Sequence, residues 1–457
     1  MENKLKGSVK AAYGLGAIGK DMVYMLSASY VLYYYQDLLK VNAIIMGTIL
    51  LIARVFDAFN DPLMGILVAK TKTRWGKFRP WLLIGTVTNA AVLYLLFAAP
   101  PTLTAGGMAA YAAIAYILWG VTYTMMDIPF WSMIPAFTTG GKERENLTTL
   151  ARSCAGVGSA LITVVTMVCV ANLGGGDEIL GFRKFSLLIA VLFVAFIVIT
   201  CLAFRERTTV DMEAPTVREM FSALLRNDQA IAVVVAIVLI NGALYLTSNL
   251  VIYFFKYDLG GADWRDAFTL FNAFGGAIQI LSMMVFYPIF RKFMDSIRIF
   301  YVSIGLAIAG YGVLFVMMCM NLGSVYALFV PAFFVFMAFG MLTVLTTVFL
   351  ANSVDYGEYK NKRRDESVIF SMQTFVVKLA SGVAVMLASV CLSIFNISSD
   401  TGDAIAEAAG SGSLMGLRLT MSVVPIVGVL AAMLVFRKKY ILTDAKLAEI
   451  AEALKTR

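Results

Sequence analysis

The sequence contains no histidine, few charged residues and few cysteines. The lack of imidazole excludes histidine-based catalysis, proton relays and metal binding, so any proton or cation chemistry must use carboxylates, hydroxyls and amides. Only 14% of the residues are charged, whereas soluble domains have about 25%. The five cysteines lie inside apolar runs without CxxC spacing. That pattern is typical of small buried apolar residues and not of disulfides or metal ligands.

Long apolar runs fill most of the chain, which is 60% hydrophobic. Each run can cross a hydrocarbon core of about 30 Å as a helix, so we predict an all-α membrane protein with about twelve spans. The predicted spans are 13–39, 43–69, 81–99, 108–138, 147–172, 184–204, 229–256, 266–290, 297–321, 326–352, 367–396 and 413–436.

One long polar interruption, residues 205–228, separates these spans into two groups of six. Two six-helix halves are typical of internally repeated transporters, in which the halves alternate access to a site near the midplane. We therefore predict an N-terminal half over 1–204, a central cytoplasmic loop over 205–228, a C-terminal half over 229–436 and a cytoplasmic tail over 437–457. In the tail, Leu447, Ile450 and Leu454 recur at helical spacing, which favours a short amphipathic helix.

Most of the 37 basic residues lie in the loops of one predicted side and at the termini. The positive-inside rule places that side, with both termini, in the cytoplasm. The first ten residues lack the apolar segment of a secretory signal. We therefore expect a multi-pass protein of a bacterial inner membrane, functional as a monomer. Since this topology accounts for the net charge of +8, the charge does not indicate a nucleic-acid partner.

Charged residues inside the predicted spans are the first functional candidates, because an unpaired ionisable group is costly at membrane depth. We single out four acids, Asp21, Asp57, Asp61 and Asp127, and four bases, Lys20, Arg54, Arg152 and Lys378. All of them except Lys378 precede the central loop. The balanced numbers favour a paired network around a hydrated cavity.

Span 2 carries Asp57 and Asp61 four residues apart, so both lie on one helix face, with Asn60 beside them. Two carboxylates and an amide oxygen form a hard-oxygen site suited to Na⁺, Li⁺ or a shared proton. The alternative is that these acids pair with Arg54 and Lys378 as structural contacts only.

Span 4 places Tyr123, Asp127 and Trp131 at four-residue intervals around Pro129. A carboxylate accepts hydrogen bonds from neighbouring sugar hydroxyls, and an indole offers an apolar face to a sugar ring. Trp131 alone could equally be an interfacial or packing residue.

Spans 1, 5 and 11 add further polar candidates. Lys20 and Asp21 are adjacent and point to different faces, so we expect that the pair does not simply neutralise itself. Lys20 either orients Asp21 or pairs with Asp127. The guanidinium of Arg152 can bridge a carboxylate and a ligand hydroxyl. In span 11, Thr374 and Lys378 share a face, and Lys378 could reach the acids of span 2 and be released on cation entry.

Several motifs resemble the glycoside–pentoside–hexuronide:cation symporters, and among these the melibiose permeases. The matching stretches are GAIGKD at 16–21, ARVFDAFNDPLMG at 53–65, TRWGKFRPW at 73–81, YILWGVTYTMMDIPFWSMIP at 116–135, VDYGEYK at 354–360 and SMQTFVVK at 371–378. The resemblance covers nearly the whole chain. It implies the major facilitator fold and cation-coupled uptake of a galactoside with Na⁺, Li⁺ or H⁺, without a cofactor.

The resemblance also implies roles for individual residues. The implied cation site consists of Asp57, Asn60, Asp61 and Thr124, with Asp57 and Asp61 as the Na⁺ or Li⁺ carboxylates. The implied sugar site consists of Lys20, Asp21, Tyr123, Asp127, Trp131, Arg152, Gln373, Thr374, Val377 and Lys378. Arg364 and Glu366 match positions tied to cytoplasmic gating. The chain departs from the family at Ala28 (a tyrosine in melibiose permeases), Thr343 (a tryptophan) and Asn352 (an acid), which leaves the sugar open.

Other functions remain possible from sequence alone. A proton-coupled exporter of small amphipathic molecules on the same fold would need a more apolar cavity with isolated acids. A membrane enzyme would need a nucleophile–base pair or metal ligands, and the sequence offers neither, so we expect no enzyme. The absence of a phosphate-binding loop argues against an ATP-driven pump. A sugar sensor that binds without transport is a further alternative.

Overall fold

The computed structural model describes residues 5–138, 141–204, 222, 225–259, 264–321, 324–362, 366–395 and 411–455. These residues are almost entirely helical. Arg364 and nearly all of the predicted central loop lie outside the described residues. The five cysteines are free thiols within the described helices.

The helices before the central loop begin at polar or small residues. Thr104 caps α4 by accepting a hydrogen bond from the Gly107 N–H, and Asp177 caps α6 through the Ile179 and Leu180 N–H groups. The bounds are α1 Gly7–Tyr33, α2 Ala43–Lys70, α3 Arg79–Leu96, α4 Ala105–Phe137, α5 Gly141–Gly174 and α6 Glu178–Ala203. A π-helical turn, Tyr34–Leu38, follows α1.

The helices after the loop are less regular. Their bounds are α7 Asp228–Tyr253, α8 Trp264–Leu281, α9 Tyr287–Phe293, α10 Ser296–Cys319, α11 Val325–Asn361, α12 Glu366–Ile394, α13 Ser411–Lys439 and α14 Asp444–Lys455. Two further π-helical segments, Phe254–Leu259 and Ser282–Phe286, follow α7 and α8. The second of them joins α8 and α9 into one apolar span.

Each predicted span coincides with a helix, and within the described ranges nine helices are long and apolar enough to cross a membrane. The remaining three spans are α1, α2 and α12. Charges interrupt α1 at Lys20 and Asp21 and interrupt α2 at Asp57 and Asp61. The predicted helix in the tail exists as α14, in which Ile450 is buried.

Several helix ends differ from the predictions. α11 continues to Asn361, beyond the predicted end at residue 352, because its last turns are also buried: Val354, Asp355 and Tyr356 are each at most 9% exposed. α13 likewise continues to Lys439, three residues into the predicted tail. Such turns carry polar residues and therefore drop out of a pattern based on apolar runs.

The chain forms two compact units. The first contains residues 1–227, 354–375 and 450–457, and the second contains 228–353 and 376–449. The first unit thus includes α1–α6 and the short stretch where α11 ends and α12 begins. The sequence-based domain boundaries follow chain order alone and remain a prediction.

Close helix packing within the first unit positions α4. Asn89 on α3 is fully buried, and its Nδ2 donates to the Trp119 carbonyl at 3.0 Å and to Thr122 Oγ1 at 2.9 Å. Gly85, one turn earlier, lies directly against the backbone of Met125 and Met126. Tyr13 on α1 donates to the Phe130 carbonyl at 2.5 Å and stacks on the Phe130 ring. The stretch 119–130 of α4 is therefore held at both ends by contacts with α1 and α3.

Candidate functional site

Lys20 is the centre of a charged cluster between α1 and α4. Its side chain is only 4% exposed. Its Nζ lies 2.7 Å from Asp127 Oδ1 and 3.0 Å from the Tyr123 hydroxyl. It also lies 3.1 Å from Asp21 Oδ1. Three oxygen neighbours for the three donors of an ammonium group explain why this lysine can be buried inside a helix bundle.

Both predicted roles of Lys20 are confirmed, because its ammonium group pairs with Asp127 and also contacts Asp21. Adjacent residues leave a helix in different directions, yet Lys20 contacts Asp21 as well as Asp127. The physical reason is the length of the lysine side chain, whose four-carbon stem lets the ammonium group turn back to its neighbour. Ser159 on α5 donates to the other Asp21 oxygen at 3.3 Å.

Trp131 and Arg152 complete the cluster on its α5 side. The Trp131 Nε1–H donates to the same Asp127 oxygen, Oδ1, at 3.1 Å. The Arg152 guanidinium carbon lies 3.7 Å from the centre of the Trp131 ring, and Lys20 Nζ lies 5.1 Å from it. One face of the indole is thus covered by a cation–π contact in this state.

This arrangement suits the recognition of a neutral polyol. Two cations, Lys20 and Arg152, face two carboxylates, Asp21 and Asp127, so the described cluster has no net charge. Charged donors and acceptors in a site of low dielectric constant form strong hydrogen bonds with ligand hydroxyls. No single ion in the ligand is needed to balance the cluster.

A second group of oxygens lies between α2 and α4. Asp61 is fully buried, and its Oδ1 accepts a hydrogen bond from Thr124 Oγ1 at 3.0 Å. Asp57 approaches α4 at Gly120, where an added Cβ would overlap the carboxylate. Asn60 carries a buried amide nitrogen for which the described residues offer no acceptor. The structure therefore brings three of the four predicted cation ligands, Asp57, Asp61 and Thr124, to the contact of α2 with α4.

Two carboxylates with a hydroxyl and an amide provide the donors that Na⁺ or Li⁺ prefers. The described residues contain no group of three or more acids, cysteines or histidines that could hold a metal ion.

The remaining predicted sugar residues lie on α12. Gln373 and Thr374 are half-buried in the first unit, and Thr374 Oγ1 donates to the Phe370 carbonyl at 3.0 Å. Val377 and Lys378 are half-buried in the second unit. Their part in the sugar site stays a prediction.

The first unit holds two further buried ion pairs, which involve the residues that end α11 and begin α12. Lys77 Nζ lies 2.9 Å from Glu366 Oε1, and Glu366 is 3% exposed. Arg144 Nη1 lies 2.7 Å from Asp355 Oδ2, and Arg144 is fully buried. Arg144 also donates to the Thr138 hydroxyl and carbonyl at 2.9 and 2.8 Å. Glu366 thus takes part in an ion pair, whereas its predicted partner in gating, Arg364, lies outside the described residues.

Sequence reasoning missed several of these residues. Lys77 and Arg144 lie in basic loops whose charges indicate only the membrane topology, and Gly120 has no side chain that would mark it as functional. Arg418 was also missed, although it lies inside the predicted span 413–436. The same bounds enclose Lys184, Lys256 and Arg298 near the ends of spans, with the acids Asp37 and Asp266, so the counts of four bases and four acids were both too low. In the second unit Arg418 donates to Asp258 at 2.5 and 2.8 Å and to Asn321 Oδ1 at 2.6 Å. A charge count inside each span would have found Arg418.

Comparison with known proteins supports the same fold and class. The sequence model of a family described as "MFS/sugar transport protein" matches residues 12–444. The chain is 29% identical to an isoprimeverose transporter of Lactiplantibacillus pentosus over 93% of this chain and 87% of that protein. It is 28% identical to a lactose permease of Lactobacillus delbrueckii subsp. bulgaricus over 98% of this chain and 72% of that protein. It is 27% identical to a raffinose carrier protein of Pediococcus pentosaceus over 97% of this chain and 70% of that protein.

Solved structures agree on the fold. A bacterial homologue of the iron transporter ferroportin, in an outward-facing state, superposes with a TM-score of 0.67 at 12% identity, covering 94% of this chain and 98% of that one. The proton:xylose symporter XylE superposes with a TM-score of 0.62 at 15% identity, covering 98% of both chains. The predicted major facilitator fold is confirmed, and at these identities the likeness concerns the fold alone.

Proposed function

The chain belongs to the MFS/sugar transport protein family, and from that membership we propose that it is a cation-coupled sugar symporter. It is a multi-pass membrane transporter and not an enzyme, since its curated relatives are permeases and carriers on this fold. We propose further that the coupling cation is Na⁺, Li⁺ or H⁺ and that the transported sugar is a galactoside such as melibiose or a related glycoside.

The observation that carries the proposal is the position of Thr124 and Asp127 on one helix. Thr124 donates to Asp61 in the proposed cation site, and Asp127 accepts from Lys20 and Trp131 in the proposed sugar site. Three residues of α-helix rise by about 4.5 Å. A cation bound by Asp61 and Thr124 therefore contacts the same turn of α4 that positions Asp127 for the sugar.

The cation contributes mainly by reducing repulsion. Asp57 and Asp61 lie on one face of α2 beside α4, and two ionised carboxylates in such a site disfavour each other. A bound monovalent cation offsets this repulsion and fixes the oxygens, including the Thr124 hydroxyl. Asp127 then presents its carboxylate to the sugar in a fixed position, which is a form of preorganisation.

The identity of the sugar depends on residues at which the chain departs from the melibiose permeases. Thr343 replaces a tryptophan, and its hydroxyl donates to the Phe339 carbonyl of its own helix at 2.8 Å. The relatives carry the names of transporters for isoprimeverose, lactose and raffinose. All three sugars contain linked rings, so we propose a glycoside substrate with melibiose as one candidate within that class.

A proton-coupled exporter of small amphipathic molecules is the second candidate. It would need isolated acids in an apolar cavity, whereas Asp127 here is held by a lysine and an indole N–H. The paired cluster favours a hydroxylated ligand over a small amphipathic molecule.

Uptake into membrane vesicles tests the proposal. Labelled α-galactosides, β-galactosides and xylosides are supplied under separate Na⁺, Li⁺ and H⁺ gradients. We expect at least one sugar to accumulate under an inward cation gradient. Asp57→Cys and Asp61→Cys should abolish the cation stimulation, because each removes a carboxylate from the cation site. Asp127→Ala should abolish sugar binding but leave cation binding measurable.

Arg298→Met is the matched control, since this arginine is 74% exposed and remote from both sites in sequence. Its uptake should equal that of the wild type. Gradient-independent uptake by the wild type, or full accumulation by all three aspartate variants, would contradict the proposal.

A further inference from the structure

Aromatic rings continue from the charged cluster along α1 and α4. Tyr24 lies one helical turn after Lys20, and its ring centroid is 5.5 Å from that of Tyr123 and 6.2 Å from that of Trp119. Trp119 is stacked between Tyr123 and Tyr116 at centroid distances of 5.3 and 5.7 Å. The rings thus extend the site toward the C-terminal end of α1 and the N-terminal half of α4.

Tyr24 differs from the other rings because it is exposed. It is 47% exposed, whereas Trp119, Tyr123 and Trp131 are 4%, 9% and 7% exposed. Trp131, the ring that sequence reasoning assigned to the sugar, also has the Arg152 guanidinium on one face. Among these rings Tyr24 therefore offers the open aromatic surface beside the charged cluster.

The exposed face of Tyr24 belongs to the polar side of α1. Tyr24 lies four residues after Lys20 and three after Asp21, so it neighbours each of them on the helix surface. Intramembrane charges face a bundle interior or a hydrated cavity and not lipid. Tyr24 also contacts two rings of α4, the helix that carries Asp127. The exposed face of its ring therefore borders the cavity next to Lys20 and Asp127.

Trp119 adds a second observation that points to a ligand. Its Nε1–H is buried, and none of the residues that the structure describes accepts a hydrogen bond from it. A buried donor without an acceptor is unfavourable. A ligand hydroxyl that enters when the Tyr24 ring moves would supply the acceptor.

We propose that Tyr24 and Trp119 form a second subsite, which binds the ring linked to the sugar that Lys20, Asp21 and Asp127 recognise. One helical turn advances about 5.4 Å along α1, which is similar to the separation of two linked pyranose rings. An aromatic face suits the C–H face of a second sugar ring or an aryl aglycone. This inference rests on the proposed sugar function, and it assigns glycosides with a second ring as the preferred substrates over monosaccharides.

Calorimetric titration of the purified protein tests this subsite. The probes are methyl and phenyl glycosides of galactose, glucose and xylose, which share the first ring and differ in the second group. In Tyr24→Ala and Tyr24→Leu we expect the Kd of the phenyl glycoside to rise by about 3- to 10-fold, as for loss of an aromatic pair. The Kd of the methyl glycoside should stay within about twofold of wild type, since the charged cluster is unchanged.

Two variants sharpen the test. Tyr24→Phe keeps the ring and should retain the wild-type preference for the phenyl glycoside. Tyr30→Ala is the matched control on the same helix, because Tyr30 packs on Phe182 and its hydroxyl points to the Thr163 carbonyl, away from the rings described above. Its affinities for both glycosides should match the wild type.

The outcomes separate this inference from the proposed function. A wild type that binds no glycoside of the panel would overturn both. A wild type that binds glycosides, with Tyr24→Ala and Tyr24→Leu weakening methyl and phenyl glycosides equally or neither of them, would overturn the second subsite alone.

Discussion

Single atoms decide how the two proposed sites are connected. Asp127 uses the same oxygen, Oδ1, to accept from Lys20 and from Trp131. Asp61 uses one oxygen to accept from Thr124. Because Thr124 and Asp127 belong to the same turn of α4, we expect a displacement at one carboxylate to change the hydrogen-bond geometry at the other. Coupling between the proposed cation and sugar sites would therefore require only this one helical turn.

Gly120 provides the sharpest test at the residue scale. The Cβ of Gly120→Ala would overlap the Asp57 carboxylate, so we expect the cation affinity to fall about tenfold or more, as for loss of roughly 1.4 kcal/mol. Sugar binding without the coupling cation should be retained, because Lys20 and Asp127 are not displaced.

Gly106→Ala is the matched control on the same helix, since a Cβ there meets nothing within 4 Å. Titration of both variants with Na⁺ or Li⁺ measures the effect. Equal cation affinities in the two alanine variants would contradict the position assigned to Asp57.

Sequence spacing predicted some of these contacts and not others. Four-residue spacing on α4 correctly grouped Tyr123 with Asp127 and Trp131, because helical periodicity fixes which residues share a face. The Lys20–Asp21 contact and the stacking of Arg152 on Trp131 depend on rotamers of long side chains. Such rotamers are set by the neighbouring helices, and no pattern along one helix encodes them.

At the scale of elements, the loop between α2 and α3 is fixed by a buried ion pair. Gly76 in this loop has φ of 101°, a conformation that favours glycine. The turn brings Lys77 to Glu366, the first residue of α12. A buried charge whose partner is removed costs about 3–5 kcal/mol, whereas replacing both partners by apolar residues is often neutral.

We therefore expect Lys77→Met and Glu366→Met each to lower the thermal stability in detergent, and the double variant to recover most of it. Fluorescence-detected size-exclusion chromatography after heating measures the Tm. The matched control is Arg74→Met in the same loop, where the arginine is exposed. Additive losses in the double variant would show that the pair does not act as a unit.

The second unit contains a comparable contact among three helices. Arg418 on α13 pairs with Asp258 after α7 and with Asn321 after α10. Asp258 has a side chain that is 3% exposed, so Arg418→Met should lower the Tm strongly, again by removing the partner of a buried charge.

Arg418→Met with Asp258→Leu should recover part of that loss, and sugar affinity at the first-unit cluster should stay unchanged in the folded protein. A normal Tm in Arg418→Met would contradict a structural role for this contact. A normal Tm with altered sugar affinity would place Arg418 in transport and not in stability.

For the whole molecule, the helices were largely predictable and their partners were not. Long apolar runs fix the number and approximate bounds of the spans, because a bilayer demands about twenty apolar residues for each helix. The polar turns that extend α11 to Asn361 are invisible to such a pattern. The residues at 354–375 belong to the first unit although they follow α7–α10 in the chain, and only tertiary packing reveals that.

Linkage provides a prediction for the whole molecule. If the cation raises the affinity for sugar by some factor, the sugar must raise the affinity for the cation by the same factor. We expect calorimetry to give equal factors of about 5- to 150-fold, the usual range for coupled sites. Asp61→Asn should reduce both factors toward one, since it removes a carboxylate that Thr124 contacts.

The comparison salt is choline chloride, which matches ionic strength without a cation small enough for the site. A sugar affinity that is the same in choline and in every tested cation would show that the two ligands are not coupled.

The contact of Arg152 with Trp131 has a practical consequence for spectroscopy. The indole of Trp131 lies under a guanidinium and donates to a carboxylate, and both groups affect indole emission. The chain has five tryptophans, so replacing Trp75, Trp81, Trp119 and Trp264 by phenylalanine would leave Trp131, at the charged cluster, as the single tryptophan. Binding of a solute that displaces the guanidinium would then change the emission of Trp131, so binding could be measured without an added label.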